Sequence, residues 1–305
     1  MSTTQQAPSG AGEVRSGQLE VNGGRIYYEV RGAGPLLLVV GQPMTSGPFG
    51  PVADLLAADH TVVTYDPHGV GRSTVDDPAL DVTPEIEADD LAAVIEAVGD
   101  GPADVVGSSG GAVAALALAL RRPDLLRTVV AHEPPVAELL PDAAYIRTAV
   151  DGVEAAYRAG GSGAGWGAFI SLVMHHGPVT EAGVAPAAWP PPGAEPDDAA
   201  PEPAEAAGPP PEPNPKQQAD DELFFTKMLK PFTGWRPPIE QLRASGPRIV
   251  VAVGAASGPE IAGRATRALA EALGTSAVEL PGDHAGFMAD PQGWARGVGE
   301  ALAAP

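Results

Sequence analysis

The segment ADVVGSSGGAVA at residues 103–114 determines how the fold of this chain is predicted. It begins with a short apolar run, continues through Ser109 between glycines, and ends in a stretch rich in Ala and Leu. Residues 107–111 match the pattern G-x-S-x-G, in which a serine stands on a sharp turn between a strand and a helix. Glycines are needed there because larger side chains would collide with the neighbouring strand and helix. The turn also directs the first N–H groups of the helix at a place where negative charge could develop.

Composition limits the classes of partner. A chain of 305 residues can form one large core, or a core with an inserted lid. The formal net charge of −21 argues against nucleic acid and anionic membrane surfaces as partners, because both require basic patches. No apolar run approaches 18 residues, so no transmembrane helix is predicted. The absence of cysteine excludes disulfides and thiolate chemistry.

Apolar runs that alternate with helical patterns predict a mostly parallel sheet. Two alternating runs around Asn22-Gly23-Gly24 predict a β-hairpin. Further strands are predicted at 36–40, at 61–65, before Ser109, and at 126–131, 248–254 and 277–280. Helical patterns lie between most of these strands, which indicates parallel pairing with right-handed crossovers.

The alternation is interrupted between the sixth and seventh predicted strands. Residues 143–159 and the apolar stretch 224–229 predict helices, separated by a glycine-rich break at 160–167. Residues 186–215 contain twelve prolines and no basic residue, a composition that predicts a disordered or polyproline-like segment.

These patterns predict four regions. Residues 1–17 are a flexible tail without the basic and apolar regions of a signal peptide, which leaves the cytoplasm as the default location. Residues 18–135 and 239–305 form the core, and residues 136–238 form a helical cap. The cap contains the disordered Pro-rich insert at about 184–216.

Four segments together resemble the α/β-hydrolase superfamily, in particular its cap-bearing, esterase-like members with a serine nucleophile. Residues 107–111 resemble the nucleophile elbow, and VGQP at 40–43 resembles the oxyanion loop His-Gly-x-Pro, with Val40 in place of the histidine. YDPHGVGRS at 65–73 resembles the segment D-x-R-G-x-G-x-S, and GDHAGF at 282–287 resembles the histidine loop. The resemblance covers the chain from residue 18 onward, apart from the Pro-rich insert. It implies an α/β fold with a mostly parallel, eight-stranded sheet flanked by helices and a helical cap after the sixth strand.

The resemblance also implies roles for individual residues. Ser109 corresponds to the nucleophile and His284 to the general base that takes its proton. The backbone N–H groups of Gln42 and Gly110 correspond to the oxyanion hole. No cofactor or metal is implied, and the expected partner is a small-molecule substrate.

The carboxylate that orients the base stays open between two positions. The family most often carries it after the seventh strand, where this chain has no carboxylate before Glu260. Glu260 falls in the first turn of a predicted helix, where the helix dipole favours acids in any case. Some family members carry the acid after the sixth strand, which here is Glu133. We favour Glu133, with Glu260 second and a dyad assisted by Ser257 or water third, since a triad requires only that the carboxylate reach the base.

The function implied is hydrolysis of an ester-like bond through an acyl-enzyme on Ser109, as in a carboxylesterase. The alternatives on the same residues are a cofactor-free haloperoxidase or perhydrolase and a carbon–carbon hydrolase. A non-catalytic protein that binds a small ligand on this fold is a third alternative. The sequence leaves open the substrate, the oligomeric state and the role of the Pro-rich insert.

Overall fold

A computed structural model of the protein describes residues 14–99, 101–185 and 214–304. Residues 1–13 of the predicted tail and residues 186–213 of the predicted Pro-rich insert lie outside the described residues. No helix within the described residues combines the length and the apolar character needed to cross a membrane.

One sheet forms the centre of the described part of the chain. Its strands are β1 (Arg15–Val21), β2 (Gly24–Gly32), β3 (Leu36–Gln42), β4 (Thr61–Tyr65), β5 (Thr74–Val75), β6 (Ala103–Ser109), β7 (Leu126–His132), β8 (Arg248–Gly254) and β9 (Val278–Leu280). The order is β1-β2-β4-β3-β6-β7-β8-β9, and β5 pairs with β2 at the side. The pairs from β4 through β9 along this order are parallel, whereas β2 is antiparallel to β1, β4 and β5. This confirms the predicted α/β-hydrolase fold class.

Two details differ from the prediction. The two-residue strand β5 adds to the eight predicted strands, so that the sixth predicted strand is β7. A pair of residues carries no periodic pattern that a sequence could display.

The predicted tail boundary at residue 17 is wrong, because Arg15–Gly17 pair with Tyr28–Val30 as the start of β1. These residues lie on an edge strand and are largely exposed, which gives them the polar composition of a tail.

Helices cover both faces of the sheet. They are α1 (Ser46–Leu56), α2 (Pro84–Val98), α3 (Gly110–Arg121), α4 (Ala143–Val173), α5 (Pro215–Leu223), α6 (Leu229–Thr233), α7 (Ile239–Ala244), α8 (Ile261–Leu273), α9 (Gly286–Ala289) and α10 (Pro291–Ala303). Alternate residues of the buried strand β3 join two apolar clusters, because successive side chains of a strand point to opposite faces. Leu38 and Val40 join the cluster that includes α2, α3 and α8, whereas Leu37 and Val39 join the one that includes α1 and α10.

The described residues between β7 and β8 are mostly helical, and the predicted cap falls in this part of the chain. It contains α4, α5, a π-helical turn at Phe224–Met228, and α6. The predicted break at 160–167 falls at Gly161, whose φ of 69° and ψ of −164° are not helical, so α4 consists of two helical parts that meet at a kink. Glycine accepts this conformation at no steric cost, so the helix resumes and continues to Val173.

The junction between β6 and α3 requires glycine, as the sequence predicts. A Cβ atom at Gly107 would lie 2.4 Å from the carbonyl oxygen of Gly111 and 2.6 Å from the Cα of Ala112. A Cβ atom at Gly111 would lie 2.5 Å from the carbonyl oxygen of Val40. These neighbours are backbone atoms that cannot rotate away, so α3 packs directly against β6 and β3.

We expect Gly107→Ala to lower the free energy of unfolding by about 1–3 kcal/mol, the usual range for overpacking a tight site. The matched control is Gly152→Ala in α4, where apart from its own helix no atom lies within 4 Å of an added Cβ. That change should stabilise the protein by about 0.5–1 kcal/mol, because alanine favours the helix more than glycine does. Urea denaturation followed by circular dichroism measures both. A Gly107→Ala variant as stable as the wild type would contradict the packing described.

Candidate active site

Ser109 is held in a strained backbone conformation at the end of β6. Its φ is 56° and its ψ is −125°. Within the described residues, Ser109 and Glu133 are the only residues other than glycine with positive φ, and Glu133 has a φ of 48°. Such conformations cost about 1–3 kcal/mol each and persist where the surrounding packing enforces them. Both residues stand at the carboxyl ends of neighbouring parallel strands, β6 and β7.

Glu133 and His284 form a direct pair. The Nδ1 atom of His284 lies 2.6 Å from Oε2 of Glu133, and the backbone N–H of Gly254 donates to Oε1 of Glu133 at 2.9 Å. The hydroxyl of Ser257 hydrogen-bonds to the same carboxylate. Burial of this carboxylate alone would raise its pKa, but these hydrogen bonds and the charge of His284 outweigh burial and lower the pKa of Glu133 to about 2. An ionised carboxylate accepts hydrogen bonds only, so Nδ1 of His284 carries a proton, and in the neutral ring Nε2 is then the acceptor.

Glu260 lies elsewhere. Its Oε1 atom is 3.0 Å from Nε2 of His176, and the two residues form an isolated antiparallel bridge. Glu260 precedes the first turn of α8 as its N-cap. The structure therefore brings Glu133 to His284 and Glu260 to His176.

Gln42 and Gly110 lie side by side next to Ser109. Gln42 is the last residue of β3 and is paired in register with Ser109 of β6. Gly110 is the first residue of α3, and a Cβ atom there would lie 3.0 Å from both the Cβ and the carbonyl oxygen of Gln42. The backbone at both positions therefore borders the space in front of Ser109.

The buried carboxylate of Glu87, in α2, binds Gln42 and other residues close to Ser109. Oε1 of Glu87 accepts hydrogen bonds from Nε2 of Gln42 and from the backbone N–H of His68, each at 2.9 Å. Oε2 accepts a hydrogen bond from the hydroxyl of Tyr65 at 2.6 Å. Burial and the neighbouring charge of Asp90 raise the pKa of Glu87 to about 7, although the donors partly offset this. One carboxylate thus ties the end of β3 to the end of β4.

No pattern in the sequence singles out Glu87. An acid in the first turn of a helix is common because of the helix dipole, and such a residue is usually exposed. Asp66 and His68 fix the loop that follows β4. Asp66 accepts hydrogen bonds from the backbone N–H groups of Ser46 and Arg72 at 2.9 Å each. His68 lies between the carboxylate of Asp90 at 2.8 Å and the carbonyl of Gly23 at 3.1 Å.

The buried ring of His132 lies next to the ring of His284, on the side of the core. The two rings are nearly parallel, with centroids 6.3 Å apart. Nδ1 of His132 lies 3.0 Å from the hydroxyl oxygen of Ser108, and burial lowers the pKa of His132 to about 4. His132 is therefore neutral at pH 7 and adds no charge behind the site.

A cavity of about 270 Å³ opens onto these residues. Its lining includes Ser109, His284, Gln42 and Gly110 together with apolar side chains of α4, α6 and the π-helical turn. Met44 and Phe232 lie in the wall. Trp235 and Phe287 lie elsewhere, since Trp235 donates to Glu85 at 3.1 Å and Phe287 stacks on Phe49. No group of three or more metal-ligating side chains occurs in the described part of the chain.

Residues 34–210, more than half of the chain, match the family described as alpha/beta hydrolase fold. The chain belongs to this family.

Relatives of known sequence match parts of the chain. An uncharacterized hydrolase of Bacillus subtilis, YraK, is 38% identical over 128 residues, which cover 42% of this chain and 47% of that protein. The 2-(acetamidomethylene)succinate hydrolase of Mesorhizobium japonicum is 37% identical over 141 residues, which cover 45% of this chain and 47% of that protein. The chain thus spans about half the length of these curated relatives.

Solved structures match nearly the whole chain. A thermophilic esterase from Thermogutta terrifontis superposes with a TM-score of 0.66 and 18% identity, covering 94% of this chain and 98% of the esterase. An alpha/beta hydrolase from Sphaerobacter thermophilus superposes with a TM-score of 0.63 and 24% identity, covering 94% and 100% respectively. At these identities the similarity concerns the fold.

The Glu133 contacts predict a pH dependence of stability. The folded pKa of Glu133, about 2, lies below the ordinary 4.5, so the ionised side chain stabilises the folded state by about 3 kcal/mol at neutral pH. This contribution is complete above about pH 5 and is lost as the pH falls from 4.5 toward 2. We therefore expect Glu133→Gln to be less stable than the wild type at pH 7, with a difference that narrows below pH 4.5.

Urea denaturation between pH 7 and pH 3 measures this difference. The control is Glu20→Gln on the exposed edge strand β1, whose stability curve should run parallel to that of the wild type. A gap between Glu133→Gln and the wild type that stayed constant down to pH 3 would show that Glu133 is not held as an ionised partner.

Proposed function

We propose that the protein is a serine hydrolase that cleaves an ester-like bond of a small molecule through an acyl-enzyme on Ser109. One observation carries the proposal. The strained Ser109 and the His284 that is paired with buried Glu133 at 2.6 Å line the same cavity. Strain of this kind occurs at functional sites, and its combination with the buried His284–Glu133 pair favours catalysis over ligand binding alone.

The residues have complementary roles in this mechanism. Glu133 holds the Nδ1–H of His284, so that Nε2 can take the proton of the Ser109 hydroxyl as its oxygen attacks the substrate carbonyl carbon. The backbone N–H groups of Gln42 and Gly110 stabilise the oxyanion of the tetrahedral intermediate. The intermediate collapses as His284 gives the proton to the leaving alcohol. Water then attacks the acyl-enzyme by the same route, which releases the acid and restores Ser109.

Two further features support the proposal. Both sequence relatives named above are hydrolases, which favours hydrolysis over the alternative chemistries of the fold. The helix α4, the π-helical turn and α6 contribute about half of the residues that line the cavity, and we propose that they act as the cap that covers Ser109.

Activity of four variants on a 4-nitrophenyl ester tests the proposal. We expect Ser109→Ala and His284→Ala to lower kcat by at least about 1,000-fold, because each removes a group that the others cannot replace. Glu133→Gln should lower kcat by about 100- to 10,000-fold through loss of the correct His284 tautomer. Glu260→Gln is the matched control and should retain activity within a few fold, since Glu260 pairs with His176.

Covalent labelling gives an independent measurement. A fluorophosphonate probe should modify Ser109 of the wild type and leave His284→Ala unmodified, and mass spectrometry of the digested protein locates the adduct. Absence of labelling together with saturable binding of a small ligand would contradict a hydrolase. Loss of activity in Glu260→Gln but not in Glu133→Gln would contradict the assignment of the acid.

A further inference from the structure

We infer that the cavity selects esters whose enclosed portion is uncharged and apolar and contains about ten non-hydrogen atoms, and that it rejects esters carrying a carboxylate there. This inference rests on the proposed function and concerns the substrate class of the same site.

Away from Ser109, His284 and Gln42, the described lining of the cavity consists mainly of apolar side chains. The helix α4 contributes Ile146, Val150, Trp166 and Phe169, and the π-helical turn and α6 contribute Phe224 and Phe232. Among the described residues of the lining, none is an Asp, Glu, Lys or Arg. A charged group that enters such a space loses its hydration and gains no partner.

Polar atoms on the wall are already occupied. The indole N–H of Trp166 donates to Oδ1 of Asp221 at 3.1 Å, behind the wall. The hydroxyl of Thr233 donates to the carbonyl of Leu229 within α6 at 2.8 Å. Nε2 of Gln42 donates to Glu87, and Oε1 of Gln42 is buried, so neither atom is available to bind a carboxylate. The groups free to bind a substrate are thus those around Ser109 itself.

Cations on the lining helices are bound to other groups of the protein outside the cavity. Arg147 of α4 pairs with Glu138, Lys230 of α6 pairs with Glu154, and Arg264 of α8 pairs with Asp142. None of the three belongs to the cavity lining. The formal net charge of −21 adds a general repulsion of anions, so neither a local nor a distant cation attracts a carboxylate to this space.

The volume limits the size of the enclosed group. An apolar cavity of about 150 Å³ holds benzene with its six carbon atoms. On that scale the 270 Å³ of this cavity correspond to about ten non-hydrogen atoms. An acyl chain of about eight carbons, or an aromatic group of similar size, fills the space.

Two paired series of esters test the inference on the wild-type protein. In the first, 4-nitrophenyl butanoate and hexanoate are compared with 4-nitrophenyl hemisuccinate and hemiadipate, which carry a carboxylate at the end of a chain of the same length. In the second, hexyl acetate is compared with the acetate of 6-hydroxyhexanoic acid. In at least one series kcat/KM should favour the neutral ester by at least about 100-fold, or about 2.7 kcal/mol. In the series that shows this preference, each methylene added to the neutral chain should raise kcat/KM by about two- to four-fold, up to a chain of about eight carbons.

A cation placed in the wall provides the converse test. Phe169 is half-buried, so Phe169→Arg can place its guanidinium at the cavity without burying it completely. We expect Phe169→Arg to reduce the preference for the neutral ester by at least about ten-fold, whereas Phe169→Leu, the matched control, retains it. Circular dichroism checks that both variants are folded.

Different results would contradict the proposed function and the proposed substrate class. Absence of fluorophosphonate labelling and of turnover for every ester would overturn the proposed function. Labelling of Ser109 with similar kcat/KM for neutral and carboxylate-bearing esters in both series would overturn only the substrate class.

Discussion

The close contact of α3 with β6 and β3 is the constraint on which the site depends. Gly107 and Gly111 let the backbones approach to distances at which no Cβ atom fits, and this approach forces Ser109 into a conformation with φ of 56°. The ten residues from Gly110 to Ala119 are all buried, so the sheet and its flanking helices hold α3 firmly in place. The free energy gained by burying this apolar helix offsets the cost of one strained residue.

A second strained residue, Glu133, follows the neighbouring strand and faces the same edge of the sheet. Its carboxylate is fixed from β8 by the N–H of Gly254 and meets His284, which stands 151 positions later in the chain. The hydrogen bonds outweigh the cost of burying the charge, as the lowered pKa of Glu133 shows. Glu87 has the opposite balance, because its burial and the nearby Asp90 outweigh the donors around it. The lowered pKa of Glu133 keeps this carboxylate ionised, whereas the pKa of Glu87 is raised to about 7.

The distribution of polarity fits the proposed chemistry. In the lining of the cavity, the polar groups that are free to bind a substrate lie around Ser109. The helices between β7 and β8 contribute mainly apolar side chains to the same lining. Such a wall excludes water and lowers the local dielectric constant. Each electrostatic interaction at the strand ends is strengthened as a result. The same wall that would favour catalysis also restricts what can enter, so reactivity and substrate class would arise from one arrangement.

The sequence by itself determined the elbow at residues 107–111, the order of strands and helices, and Ser109, His284, Gln42 and Gly110 as candidates. Each of these depends on a local pattern, since spacing and glycine content fix the backbone over a few residues. Only the tertiary structure shows that Glu133 lies beside His284 and Glu260 beside His176, that Glu87 binds Gln42, and which aromatic side chains reach the cavity. These are contacts between side chains far apart in the chain. They depend on strand register and helix packing, which no local pattern encodes.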